Sequence, residues 1–327
     1  MSKVVKYGKY EVLSNSQKGN KELLVVFHTG VGNLSTYTDL IPYLRERNEE
    51  VATFTLSSVE DFLNVSYENV ITETGKIYGT YLASLNKDKY KLMGHCIGGL
   101  FTLEAAKVLK KLGKEVENVI LIDNTVKITE NRDISYITNV LNCDVILERM
   151  FGRLMNIDLN SAGYLIDDNR MNEVVEYLSS NNIEFNEENL ADMKNEFQDV
   201  GECYQNLLSK NHKERLDAFC HMFGEMPYEQ FKYQRDIMDG MYALFKHSIN
   251  ACLAYIPPMY NEKVTVLICE QEVSNYYLNT INVFSNQKEA WENILGEKAE
   301  YIYIPGDHFS CLQKPLVNSL IEILKGM

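Results

Sequence analysis

The chain has 327 residues, 45% hydrophobic and 24% charged, so it is long enough to bury a large core. Its formal net charge of −14 argues against a nucleic-acid partner, because such a protein needs a basic face to neutralise phosphates. The apolar runs are too short to span a membrane, and no signal-peptide pattern opens the sequence, so we expect a cytoplasmic protein without a membrane partner. The seven cysteines form no C-x-x-C pair, which favours reduced thiols over disulfides or a zinc site.

The first 125 residues alternate between short apolar runs and segments with a helical period. The apolar runs have the length of buried parallel strands. Because strands and helices alternate, we predict a parallel sheet covered by helices on both faces. The predicted strands are 22–28, 51–56, 90–95 and 118–122, and the predicted helices are about 36–46, 67–86 and 97–112.

The pattern changes after residue 129. Strand-like runs vanish between 130 and 238, and acidic and amide residues dominate segments with a helical period, without the Gly/Pro/Ser bias of a linker. The alternation then resumes with a helix near 239–254, a strand at 264–269, a helix around Trp291, a strand at 299–304 and a helix at about 314–325. We therefore predict one domain over 1–327, with a core of 1–129 and 239–327 and an all-helical lid insertion at 130–238.

A candidate nucleophile lies in the pentapeptide Gly94-His95-Cys96-Ile97-Gly98, between a predicted strand and a long predicted helix. Glycines around a strand-to-helix turn permit a sharp elbow that presents the central side chain at the end of the sheet. The N-terminus of the following helix favours a thiolate and any oxyanion formed beside it. We therefore predict that Cys96 is a catalytic nucleophile.

A thiol nucleophile needs a base, and His308 is the best candidate. It follows the last predicted strand in Pro305-Gly306-Asp307-His308-Phe309, and a loop at that end of a parallel strand lies at the same sheet edge as the elbow. Asp307 is expected to shape this turn. His95 adjoins Cys96, but the alternation of a strand is expected to turn its ring away from the site.

Two positions compete for the acid that orients the base. Asp123 directly follows the strand at 118–122, one helix and one strand after Cys96. The other position is the end of the 264–269 strand, which offers Glu270 or Glu272. We favour Asp123, which gives the order nucleophile, acid, histidine.

A glycine-rich loop follows the first predicted strand, in His28-Thr29-Gly30-Val31-Gly32-Asn33. Such a loop can bring one backbone N–H to an oxyanion, and the residue after the nucleophile supplies the other. The predicted oxyanion donors are therefore the N–H groups of Gly30 and Ile97.

Several segments together resemble the thioesterase domains of nonribosomal peptide and polyketide synthetases, within the α/β-hydrolase superfamily. The matching segments are Val25–Gly32, Met93–Leu100, Ile120–Asp123, Tyr255–Tyr260, Trp291 and Ile304–His308. The resemblance implies an α/β-hydrolase fold with a triad of Cys96, Asp123 and His308. It departs from the family in having cysteine where serine is usual, and in a lid larger than most.

The resemblance also implies a function. The expected substrate is an acyl or peptidyl chain on the phosphopantetheine arm of a carrier protein, which is the expected partner, and no bound cofactor or metal is expected. Release would give an acid by hydrolysis, or a ring by attack of an internal amine or hydroxyl, as in natural product biosynthesis. The alternatives are a polyester-synthase-like acyltransferase, a dienelactone-hydrolase-like enzyme, and a non-catalytic module that binds a carrier protein.

Overall fold

A computed structural model describes residues 2–14, 21–126, 143–222, 224, 226–271 and 287–327. The chain divides into two compact units. One unit consists of 1–128, 247–272 and 286–327, and the other consists of 129–246 and 273–285.

The first unit is built on one sheet of eight strands. Its strands are β1 (Ser2–Val5), β2 (Gly8–Ser14), β3 (Glu22–Phe27), β4 (Glu50–Leu56), β5 (Lys89–His95), β6 (Glu115–Ile122), β7 (Val264–Cys269) and β8 (Ala299–Ile304). Their order across the sheet is β1-β2-β4-β3-β5-β6-β7-β8. The pairs β1–β2 and β2–β4 are antiparallel, and every other neighbouring pair is parallel.

Helices cover both faces of this sheet. The helices that contribute residues to the first unit are α1 (Ile41–Glu46), α2 (Val59–Leu63), α3 (Tyr67–Ala83), α4 (Ile97–Lys111), α10 (Tyr228–Ala254), α11 (Gln287–Glu292) and α12 (Val317–Lys325). The first part of α10 belongs to the second unit. On one face, Leu24 and Val26 of β3 join a buried cluster with Leu320 of α12. On the other, Phe27 and Phe54 contact Tyr78 of α3. The predicted α/β architecture, a mostly parallel sheet between helices, is therefore confirmed.

The continuous apolar run of β3 fits its place in the middle of the sheet. Successive side chains of a strand point to opposite faces, and Leu23–Phe27 are all buried, so both faces of the strand are covered. Neighbouring β5 has the same character over Leu92–His95 and leads directly into α4. Helix α4 packs against both β5 and β6.

The described part of the second unit is helical. Its helices are α5 (Asp144–Leu154), α6 (Asp168–Ser180), α7 (Glu187–Ala191), α8 (Gln198–Leu208), α9 (His212–His221) and the first part of α10. The predicted boundary at 238/239 falls inside α10, which is one continuous helix, and the division between the two units lies at 246/247 instead. The boundary could not be read from the sequence because the helical period runs through it unbroken.

Candidate active site

Cys96 stands where β5 turns directly into α4. Its backbone has φ 56° and ψ −136°, a left-handed conformation that side-chain-bearing residues rarely adopt. The turn is tight, because a Cβ on Gly94 would overlap the Gly98 backbone and one on Gly98 would lie 2.6 Å from the His28 carbonyl oxygen. These two glycines therefore permit the elbow, which leaves the Cys96 side chain partly exposed at the carboxyl end of β5.

Asp123 and His308 meet at the same edge of the sheet. The His308 Nδ1 lies 2.8 Å from Asp123 Oδ2, and the backbone N–H of Cys269 donates to the other carboxylate oxygen at 3.0 Å. Burial alone would raise the pKa of Asp123, but the hydrogen bond and charge of His308, with the Cys269 N–H, outweigh it and lower the pKa. Asp123 is therefore held as a carboxylate against the imidazole ring.

His308 also interacts electrostatically with Cys96. Burial alone would lower the pKa of His308, but the charge of Cys96 and the hydrogen bonds to Asp123 and Cys96 outweigh it and raise the pKa well above its usual value. The charged form of the ring is thus favoured.

The glycine-rich loop after β3 lies beside the elbow. A Cβ on Gly30 would lie 3.9 Å from Cγ2 of Ile97, so the two predicted oxyanion donors are neighbours. Among the described residues, neither the Gly30 nor the Ile97 N–H donates a hydrogen bond. Ser248 of α10 holds the loop from behind, where its hydroxyl donates to the Gly30 carbonyl oxygen at 3.1 Å.

The alternative acids occupy other surroundings. Glu270 follows β7 but its side chain is exposed, whereas Asp123 contacts His308 directly. Glu272 lies outside the described residues. Asp307 shapes the turn before the base, as expected: its carboxylate accepts from the N–H groups of Phe309 and Ser310.

The expectation for His95 is wrong. Its buried ring lies 4.5 Å from the ring of His308, centroid to centroid, and its Nε2 is 3.0 Å from the His308 carbonyl oxygen. The loop after β8 brings His308 against the His95 ring, and no local pattern in the sequence reveals this long-range contact.

Sequence reasoning also missed two residues next to Cys96. The side-chain amide of Asn124 donates to the Cys96 carbonyl oxygen. Cys252 lies one turn after Ser248 in α10, and burial and the neighbouring Cys96 raise the pKa of its thiol. The only signal for Asn124 was its position directly after Asp123, and Cys252 gave none.

Two further properties concern the part of the chain that the structure describes. It contains no cluster of three or more His, Cys, Asp or Glu side chains with the geometry to hold a metal ion. None of its helices combines the length and the apolar character needed to cross a membrane.

Comparison with known proteins gives one family and a set of related folds. Residues 22–142 match the model of the thioesterase domain family. Comparison with curated proteins gives no match. The Vlm2 thioesterase domain shares 16% identity and a TM-score of 0.55 over 98% of this chain and 97% of its own. A second structure of that domain, with 2,3-diaminopropionic acid and a bound dodecadepsipeptide, gives 15% and 0.55 over 97% of this chain and 96% of its own.

A multidomain protein has the same fold in part of its length. The four-domain nonribosomal peptide synthetase AB3403 is 14% identical, with a TM-score of 0.57 over 97% of this chain. This chain spans only 20% of that synthetase. The family match over 22–142 and the shared fold bear out the resemblance to thioesterase domains.

Proposed function

We propose that this protein is a thioesterase that takes an acyl or peptidyl chain from a carrier-protein phosphopantetheine thioester onto Cys96 and then releases it. One observation carries the proposal: Cys96 lies in a strand-to-helix elbow and interacts electrostatically with His308, whose Nδ1 lies 2.8 Å from Asp123. A nucleophile, a base and an acid that orients the base are what acyl transfer needs.

The loading step uses the thiolate. Cys96 attacks the thioester carbonyl, and the N–H groups of Gly30 and Ile97 hold the oxyanion that forms. As the intermediate collapses, the His308 imidazolium gives its proton to the departing pantetheine thiol. The chain is then a thioester of Cys96, and His308 is neutral.

The release step reverses these roles. Neutral His308 takes a proton from water, or from an amine or hydroxyl of the chain itself, as that group attacks the Cys96 thioester. Water gives an acid, and an internal nucleophile gives a ring. Asp123 stabilises the imidazolium that forms in this step, and Cys96 departs as a thiolate.

Cysteine in place of serine changes the energetics of loading. A serine would convert the incoming thioester into a less reactive oxoester, whereas Cys96 exchanges one thioester for another. Loading is then nearly thermoneutral and the bound chain stays strongly electrophilic. We therefore propose that the enzyme carries out a demanding release, such as closure of a strained ring or transfer to an amine.

The substrate class and partner belong to the same proposal. One structure of the Vlm2 thioesterase domain holds a dodecadepsipeptide, which favours a long peptidyl or depsipeptidyl chain here as well. An acidic chain of net charge −14 would need a local patch to dock a carrier protein that is itself acidic. The contact between Asp123 and His308 favours this function over a polyester-synthase-like acyltransferase, which would take its acid from the end of β7.

Incubation with a panel of acyl- and peptidyl-pantetheine thioesters tests the proposal. Intact-protein mass spectrometry should show the mass of the chain on the wild type and not on Cys96→Ala, and chromatography should show the released acid or ring. A wild type that no thioester acylates would favour the non-catalytic binding module.

A further inference from the structure

Asn124 is a buried polar residue beside the elbow, and it is not one of the three proposed triad residues. Only 2% of its surface is exposed. Its Nδ2 donates to the Cys96 carbonyl oxygen, which also accepts from the Gly99 N–H at 3.1 Å. The amide can be oriented in only one way, because a carbonyl oxygen accepts only from the nitrogen side.

The Asn124 amide packs closely against the first turn of α4, and its buried Oδ1 accepts no hydrogen bond from the described residues. Gly99 lies in the first turn of α4, and a Cβ there would overlap the Asn124 side chain. The backbone of Asn124 is held as well, because the fully buried Trp291 donates from Nε1 to the Asn124 carbonyl oxygen at 2.8 Å. Two residues later, Val126 N–H donates to Gln287 Oε1 at 3.0 Å. Two side chains of helix α11 thus hold residues 124–126 by hydrogen bonds.

The carbonyl that Asn124 binds belongs to the same peptide unit as the Ile97 N–H. A trans peptide is planar, and its C=O and N–H point in opposite directions. A donor that holds the Cys96 carbonyl in place therefore also fixes the direction of the Ile97 N–H. Cys96 has φ 56°, a conformation whose flanking peptides are prone to rotate unless the surroundings hold them.

We propose that Asn124 is a positioning residue, which holds the Cys96–Ile97 peptide so that the Ile97 N–H is aimed at the oxyanion. Two consecutive residues then position the base and the oxyanion donor. Asp123 orients His308, and Asn124 orients the oxyanion donor. This inference rests on the acyl-transfer chemistry proposed above, because only a reaction that passes through an oxyanion uses the Ile97 N–H.

Two reactions of Cys96 separate this role from a general structural one. Acylation by p-nitrophenyl acetate forms a tetrahedral oxyanion, whereas alkylation by iodoacetamide displaces iodide at a saturated carbon and forms none. Asn124→Leu keeps the branched shape and removes the donor. We expect its acylation rate constant to fall about 10–100-fold, less than the 10²–10³-fold typical of deleting an oxyanion donor. Its alkylation rate and the pH profile of that alkylation should stay close to those of the wild type.

The matched control is Asn118→Leu. Asn118 is a buried asparagine of β6, the strand that precedes Asn124, and its Nδ2 lies 3.0 Å from Thr265 Oγ1, in the half of the strand away from the elbow. It should lower the melting temperature and leave the ratio of acylation to alkylation unchanged. Trp291→Phe, which removes the indole N–H and keeps an aromatic ring, should lower that ratio by a smaller factor than Asn124→Leu.

The inference is overturned if Asn124→Leu acylates at the wild-type rate, or if acylation and alkylation fall by the same factor. If that variant does not fold, Asn124→Ala gives the same comparison. A wild type that alkylates but does not react with p-nitrophenyl acetate also contradicts it. Since p-nitrophenyl acetate needs no carrier protein, failure with pantetheine thioesters alone would contradict the proposed function and not this inference.

Discussion

Asp123 contacts both the proposed base and the neighbouring strand β7. One carboxylate oxygen contacts the His308 ring and the other accepts the Cys269 N–H, so the carboxylate is fixed from two directions. Its own φ is 47°, in the left-handed region that residues with a side chain rarely adopt. A charged acid in this position keeps a proton on His308.

Asp123→Asn should therefore change both the rate of acylation and its dependence on pH. The maximal rate should fall by about 10²–10⁴-fold, the range that general acid–base groups contribute. Because Asp123 helps to raise the pKa of His308, its neutralisation should lower that pKa and move the alkaline limb of the pH profile to lower pH. Stopped-flow acylation between pH 5 and 10 measures both effects.

Glu270→Gln is the control for that variant, since its exposed side chain follows the neighbouring strand. It should keep the wild-type rate and pH profile. The opposite pattern, with activity lost in Glu270→Gln and retained in Asp123→Asn, would identify a polyester-synthase-like enzyme instead.

Cys96→Ser tests why the nucleophile is a thiol. We expect slower loading and a larger share of hydrolysed acid among the products, because an oxoester reacts less readily with an internal amine. Product ratios from chromatography, compared with those of the wild type on the same peptidyl thioester, give the answer. An unchanged rate and product ratio would remove the reason proposed for cysteine.

The meeting of Asp123 and His308 was predictable from the sequence, because each lies in the segment that follows an apolar run. The carboxyl ends of parallel strands meet at one edge of a sheet, so chain order alone brings such residues together. The supporting contacts of His95 and Asn124 were not predictable. The His95 contact depends on the loop after β8 that carries His308, and the position of Asn124 depends on helix α11.

At the scale of elements, the elbow depends on close backbone approach at Gly98 rather than on a left-handed conformation there. Its missing Cβ lets the start of α4 approach the backbone that follows β3. The same approach sets the distance between the elbow and the Gly30 loop. The proposed oxyanion site therefore requires that the start of α4 packs closely against the backbone after β3.

Gly98→Ala and Gly240→Ala should change stability in opposite directions. A Cβ at Gly98 would lie 2.6 Å from the His28 carbonyl oxygen, so we expect a lower melting temperature and loss of acylation. Gly240 lies inside α10 with no atom within 4 Å of its missing Cβ, so alanine should stabilise the helix by about 0.5–1 kcal/mol. Thermal unfolding followed by circular dichroism measures both shifts. A stabilised Gly98→Ala would contradict the tight elbow.

The sequence predicted the central strands and missed β1 and β2. Central parallel strands are buried on both faces and appear as continuous apolar runs. In contrast, Ser2–Val5 is almost entirely exposed, and Gly8–Ser14 mixes polar and apolar residues at the antiparallel edge of the sheet. The short helix Val59–Leu63 was missed for a similar reason, since five residues give too little of a helical period.

At the scale of the whole molecule, the second unit contains a buried charge cluster of its own. Glu148 is fully buried and receives Arg215 on both oxygens, the Tyr164 hydroxyl at 2.7 Å and His212 Nδ1 at 2.6 Å. The other ring nitrogen of His212 lies 3.2 Å from Asp239, and the ring faces Tyr242. Such a network is stable only while each charge keeps its partner.

This cluster predicts a pH-dependent stability of the second unit. The hydrogen bond to Glu148 raises the pKa of His212, and this effect outweighs burial, which alone would lower that pKa. Stabilisation by the imidazolium is then complete below the unfolded pKa of about 6.5 and is lost as pH rises through the higher folded value. Relative to His212→Gln, the wild type should lose about 1–3 kcal/mol of unfolding free energy over that rise. Urea unfolding at several pH values measures it, with the exposed His221→Gln as control. A difference independent of pH would contradict the charged pair.

The most direct test of the account is to locate the acyl group after reaction with a peptidyl-pantetheine thioester. Rapid quench, digestion and mass spectrometry should place the whole chain on the peptide that contains Cys96. The wild type should carry it fully within the first turnover, and Asp123→Asn should carry it far more slowly. Turnover of the thioester by Cys96→Ala at the wild-type rate, or a chain attached to another residue, would contradict the central role of the elbow cysteine.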